Sequence, residues 1–103
     1  MKDFLDSLPA KDAQKVAWVL QLVEDLDEIP SSYFKKLKGT DEIWECRIQF
    51  GSNFYRILCF FVNGALLVLT HGFSKKSRKT PRGEIEKAEI YRKDYLRRRI
   101  QHE

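Results

Sequence analysis

An α+β domain is predicted for this chain, with a small antiparallel sheet packed by one helix from each end of the sequence. Two periodicities predict it. Apolar residues recur every three or four positions near both ends and at every second position through residues 43–71. Length is the third observation. At 103 residues the chain can bury one modest core, so residues 1–103 read as a single domain without repeats, low-complexity stretches or a linker.

After Leu8-Pro9, residues Ala13, Val16, Ala17, Leu20, Val23 and Leu26 mark one face of an amphipathic helix, with Pro9 tolerated in its first turn. The pattern stops at Asp27 to Pro30, because the residue before a proline is driven out of helical geometry. Residues 31–40 read as a short connector, with one helical turn around Tyr33 to Leu37 and Gly39 to close it.

Three strand-like runs follow, Ile43 to Phe50, Phe54 to Val62 and Ala65 to His71, rich in Ile, Val, Phe and Tyr. Gly51-Ser52-Asn53 separates the first two. Asn63-Gly64 separates the others and favours a two-residue hairpin turn, since both positions accept positive φ. The expected sheet is therefore a three-stranded meander whose middle strand is apolar on both faces. Thr80-Pro81 then reads as an N-cap followed by a first-turn proline. Ile85, Ala88, Tyr91, Tyr95 and Leu96 give the second amphipathic helix. Its end at Arg97-Arg98-Arg99 suits the helix dipole.

Composition narrows the function classes. Seven Phe, four Tyr and two Trp exclude a wholly disordered chain. The longest apolar run, Ile57 to Val62, is far too short to span a membrane, and nothing at the start marks the chain for export. Cys46 and Cys59 lie thirteen residues apart in apolar segments with no nearby His. That spacing points to buried reduced thiols in a cytoplasmic protein, with no metal site and no cofactor.

Charge is segregated. Residues 1–34 hold three Lys against seven Asp/Glu, net −4, whereas residues 35–103 hold sixteen Lys/Arg against eight Asp/Glu, net +8. Lys75, Lys76, Arg78, Lys79 and Arg82 fall within 72–83, a stretch without an acid. Such a pole suits a polyanion, nucleic acid above all, or is a solvated loop.

Arg56 is the only charge in a strand otherwise apolar from Phe54 to Val62. A buried unpaired arginine is costly, so Arg56 either has a partner, Glu45 or one on the C-terminal helix, or lines a site. A two-residue turn at Asn63-Gly64 would set Arg56 directly opposite His71. A two-residue turn in the preceding hairpin would bring Arg47 and Gln49 to the Arg56 face; a three-residue loop without a bulge would turn them away. In the first case one face gathers Arg47, Arg56 and His71, with Lys75 and Lys76 hanging from the end of the third strand. Cations for phosphate oxygens, an imidazole and an aromatic such as Phe73 for stacking suit RNA better than duplex DNA. The same inventory could cleave RNA without metal, by attack of the ribose 2′-hydroxyl on its own phosphate. His71 has a second reading, as a strand-end residue capping the sheet.

Trp44-Glu45-Cys46-Arg47, Tyr55-Arg56-Ile57, His71-Gly72-Phe73-Ser74-Lys75-Lys76, and Thr80-Pro81 followed by Glu84, Ile85 and Ala88 resemble a toxin family. It is the phage-derived, HigB-like branch of the RelE/ParE toxin superfamily, and the resemblance runs from about Phe4 to Leu96. It implies a small antiparallel sheet packed by two N-terminal helical segments and a C-terminal helix. It also implies metal-independent cleavage of messenger RNA on the ribosome and inhibition by a helix-turn-helix, HigA-like antitoxin. Operator DNA would be met only through the antitoxin complex, and no membrane is involved. By position, the implied functional residues are Arg47, Arg56, Lys75 and Lys76, with His71 and Phe73 secondary; Arg56, Lys75, Lys76 and His71 are the expected catalytic set, and Arg47 and Phe73, with Arg78, Lys79 and Arg82 of the basic stretch, the expected RNA contacts. Gyrase poisoning of the ParE kind and non-catalytic RNA binding are the competing expectations. Family members usually begin with a β-strand ahead of the segment matching Phe4 to Pro9. This chain starts at that segment, so the expected sheet lacks that first edge strand, or the chain is a fragment or uses an internal start.

Overall fold

Pro9 divides the N-terminal helical segment into α1 (Lys2–Asp6) and α2 (Ala10–Asp25) in the computed structural model, which describes residues 2–25, 29–40, 42–63, 66–74 and 80–102. The break is steric, since Leu8 is pushed out of helical geometry by the proline after it. The Pro9 carbonyl then opens α2 by accepting from Ala13 N at 3.0 Å. The buried stripe of α2 is Asp12, Val16, Val19 and Val23. It is turned slightly from the expected one: Val19 joins it, Ala17 faces water, and Leu26 lies outside the described residues.

The sheet has four strands rather than three. Its order is β1 (Phe34–Lys36), β2 (Trp44–Phe50), β3 (Asn53–Val62) and β4 (Leu66–Ser74), each antiparallel to its neighbour. The extra strand lies where a helical turn around Tyr33 to Leu37 was expected. The turn falls earlier, with Tyr33 N and Phe34 N both donating to the Pro30 carbonyl. Phe34 then buries its ring against Trp44, centroids 4.8 Å apart and nearly parallel, and three residues of backbone pair with β2. Burial of one phenylalanine and satisfaction of an open strand edge outweigh the local preference for a turn. No strand precedes α1 among the described residues.

Gly51-Ser52 forms the two-residue turn between β2 and β3, pairing Phe50 with Asn53, and Gly51 supplies a positive φ of 59°. The next hairpin departs from the Asn63-Gly64 expectation. Val62 pairs with Leu66, so three residues separate the strands, and Asn63 carries a φ of 54°. A second shift follows between Leu58 and Cys59, where Thr70 is the extra residue. Its hydroxyl donates to the Leu58 carbonyl at 2.7 Å. Register here follows burial: Leu67 and Leu69 join the core on one face, and Val68 joins the core on the other.

Helices α1 and α2 cover one face, where Val16, Val19 and Val23 meet Cys46, Ile48, Tyr55, Ile57 and Cys59. Cys46 and Cys59 are free thiols with sulfurs 3.9 Å apart; their hydrogen bond, then burial, pushes the Cys59 thiol up. Gly72 of β4 lies beneath Phe4, whose ring would be only 2.4 Å from an added Cβ. Helix α3 (Arg82–His102) covers the opposite face, packing Ile85, Ala88 and Tyr95 around Leu58, Phe60 and Val62. Tyr91, expected on the packing stripe, is 43% exposed. No helix is long and apolar enough to cross a membrane, as judged on the described residues.

Candidate functional site

The Gly51-Ser52 turn sets Arg47 of β2 directly opposite Arg56 of β3, on the α3 face. Two like charges in that position repel. Glu45 resolves the conflict. Its side chain is fully buried, and Oε1 accepts from Arg47 Nε at 2.9 Å while lying 3.3 Å from Arg56 Nε. The Arg56 contact is an ion pair without hydrogen-bond alignment; that guanidinium instead donates through Nη1 to the Tyr55 carbonyl at 2.8 Å. Burial lowers the pKa of Arg56 from its ordinary value, Glu45 raises it in opposition, and Arg47 lowers it further. One carboxylate thus holds two guanidiniums and leaves a surplus positive charge at the end of the sheet that α3 does not cover.

The other Glu45 oxygen, Oε2, accepts from the Thr80 hydroxyl. Thr80, expected as a helix cap, spends that hydroxyl on β2 and fastens the approach to α3 across the sheet. Pro81 supplies the helix-opening carbonyl, which accepts from Glu84 N at 3.0 Å and Ile85 N at 3.3 Å.

His71 does not lie opposite Arg56. The two register shifts slide it to Leu58, and Phe73 takes the place opposite Arg56. Each shift alone would have moved His71 to the other face; together they return it. Its Nε2 lies 2.6 Å from Glu84 Oε2 and its Nδ1 3.1 Å from Thr70 Oγ1. Phe73 stacks on its ring and Tyr91 meets it edge-on. These contacts tie β4 to α3. Phe73 also packs against the α3-side core. Arg82, at the start of α3, pairs with Glu86 at 3.2 Å on an exposed surface. Lys75, Lys76, Arg78 and Lys79 lie outside the described residues.

Arg47 and Arg56 open into a cleft of about 540 Å³ at the rim of the sheet. It exists because β1 is short. After Arg47 N, which donates to the Tyr33 carbonyl at 2.7 Å, β2 runs on without a neighbour on that side. Lys15, Ser32, Tyr33, Gln49 and Phe54 complete the polar and aromatic lining; among the described residues, no carboxylate and no imidazole is part of it. Lys15, Tyr33 and Phe54 were not among the residues the sequence singled out. Lys15 belongs to a segment whose net charge is negative, and no local pattern links it to Arg47. Guanidiniums present paired donors to phosphate oxygens, so the chemistry of this lining suits a phosphate flanked by aromatic rings. Among the described residues, no three His, Cys, Asp or Glu side chains group as metal ligands.

Residues 3–93 match the family model described as phage-derived protein Gp49-like (DUF891). No curated protein and no solved structure matched the chain.

Proposed function

Because the chain belongs to the phage-derived Gp49-like family, a family of RelE/HigB-like toxins, we propose that it is a messenger RNA endoribonuclease. In this reading it is a HigB-like toxin that cuts on the ribosome in the cytoplasm, needs no metal, and is silenced by a helix-turn-helix, HigA-like antitoxin. The observation that carries the reading is the Arg47–Arg56 pair opening into a cleft that, among the described residues, has no lining carboxylate. Metal-dependent nucleases hold their ions with carboxylates; this site offers fixed cations instead.

In the reaction so assigned, the ribose 2′-oxygen attacks the adjacent phosphorus as the bond to the 5′-oxygen breaks. The 2′-hydroxyl loses its proton and the leaving oxygen gains one, giving a 2′,3′-cyclic phosphate and a 5′-hydroxyl. Arg47 and Arg56 neutralise the charge that develops on the non-bridging oxygens, held in place beforehand by Glu45. His71, engaged by Glu84 and Thr70, is not among the residues that line this cleft. Lys75 and Lys76 are proposed to add phosphate contacts.

Expression of wild type, Arg47→Ala, Arg56→Ala and the double change Lys75→Ala/Lys76→Ala in growing cells tests this. Wild type should stop protein synthesis, and each arginine variant should lower cleavage of ribosome-bound messenger by roughly 100-fold to 1000-fold. Naked RNA should be cut weakly, with or without magnesium. Folded arginine variants that still arrest growth would refute the site. Arrest of DNA replication with translation intact would replace the nuclease by a gyrase-directed toxin.

A further inference from the structure

We infer that α2 belongs to the substrate path: single-stranded RNA leaves the two arginines, crosses the rim of the sheet, and places its next phosphate and base on Lys15 and Trp18. The inference rests on the nuclease reading and deepens it by giving the substrate strand a second contact.

The cleft itself joins the two places, since Lys15 lines it together with Arg47 and Arg56. Helix α2 turns its charge toward this point selectively. Asp12 is buried and engaged by Tyr55 and Asn53, and Asp25 accepts from Gln21 on the exposed surface. Of the charged side chains of α2, Lys11, Asp12, Lys15, Glu24 and Asp25, only Lys15 lines the cleft. Beside it stands Trp18, 49% exposed, although a side chain of that size is normally drawn well into a core. Tyr33, also in the lining, meets the Trp18 ring edge-on at 5.9 Å and holds it upright. Lys15 Nζ rests 4.5 Å from the Trp18 centroid, over the ring face.

A cation over an exposed indole, next to two guanidiniums, matches the alternation of phosphate and base along a single strand. An arriving phosphate draws the ammonium off the ring, and a base takes the vacated face. Duplex nucleic acid offers no free base for that exchange, and an acidic peptide would use the cations but leave the ring unstacked.

Trp18 reports on this directly. In a Trp44→Phe protein it is the sole tryptophan, and titration with a short oligouridine should quench its fluorescence while a polyglutamate peptide does not. Trp18→Ala should weaken oligouridine binding roughly 10-fold, with Trp18→Phe recovering most of the loss. Lys15→Gln should reduce the slope of log affinity against log salt by about 0.7, the share of one single-strand phosphate. No quenching, or binding and salt slope unaltered by these variants while Arg47→Ala and Arg56→Ala weaken binding, overturns the α2 path and leaves the nuclease reading standing. Full binding and growth arrest by the arginine variants overturns both. An equal quench by polyglutamate makes the patch an acidic-protein contact and overturns the RNA path alone.

Discussion

On one face of the sheet Val16, Val19 and Val23 lie against Cys46, Ile48, Tyr55, Ile57 and Cys59, with Phe4, Leu5 and Leu8 closing the margin. On the other, a smaller apolar cluster sets Ile43, Leu58, Phe60 and Val62 against Ile85, Ala88 and Tyr95, with Leu37, Val68 and Phe73 at its margin. Beyond it the same strands present Glu45, Arg47, Arg56 and His71. The first face is held by shape and burial, and its polar group Asp12 is a local tie to Tyr55 and Asn53. The second is held partly by polar contacts, from the Thr80 hydroxyl to the buried Glu45 carboxylate and between His71 and Glu84. A helix that covers only half a face leaves the other half free for chemistry, provided buried charge fastens the helix where apolar contact runs out.

The comparison breaks first at Glu45. Glu45→Leu should cost on the order of 3 kcal/mol in urea unfolding, because two arginines lose their buried counter-charge. Glu45→Gln, which keeps one acceptor oxygen for Arg47 and turns an amide NH2 toward the Thr80 hydroxyl, should cost less. Equal stability of Glu45→Leu and wild type would mean that charge does not hold the α3 face.

Gly72→Ala probes shape on the opposite face. The new methyl would collide with Phe4, so about 2 kcal/mol of destabilisation is expected, with loss of hydrogen-exchange protection confined to α1. Adding Phe4→Ala should remove most of the extra penalty, since the two positions are in contact.

Tyr55→Phe sharpens the role of the polar tie on that face. Loss of its hydrogen bond to Asp12 should cost about 1.5 kcal/mol near neutral pH. The hydrogen bond to Asp12, then burial, raises the Tyr55 pKa in the folded protein above its ordinary value of 10.0. The unfolded state therefore gives up its proton first. Stability from this group is complete below pH 10 and falls as pH climbs through the higher folded value. The wild-type urea midpoint should drop between pH 9 and the folded pKa, and Tyr55→Phe should flatten that drop. The smallest effect belongs to Arg82→Gln: an exposed pair with Glu86 should change stability by less than about 0.5 kcal/mol.

Local signals were enough for α2, α3 and the three long strands, because each repeats its apolar period over seven residues or more. They were enough as well for the facing pair Arg47 and Arg56 once the turn at Gly51-Ser52 was allowed, and for Glu45 as one partner of Arg56. What escaped depended on distant chain. Phe34–Lys36 is too short to show a period and becomes a strand only because β2 offers it an edge. The Thr80 hydroxyl serves Glu45, 35 residues away, rather than the adjacent helix end. Lys15 and Trp18 have nothing in their own helix to announce the cleft; it arises where β1 stops.

Thr70 acts as a phase correction. A strand has two phases, and the three residues between Val62 and Leu66 put β4 into one of them. The extra residue at Thr70 restores the other for the tail, so Gly72 faces Phe4 while His71 and Phe73 face α3. The two irregularities behave like a pair of compensating frameshifts in a message. Any single change of length between Val62 and Gly72 inverts the end of the strand, sending the imidazole under α1 and stranding Glu84. Two such changes together cancel, so this stretch can vary in length only in steps of two.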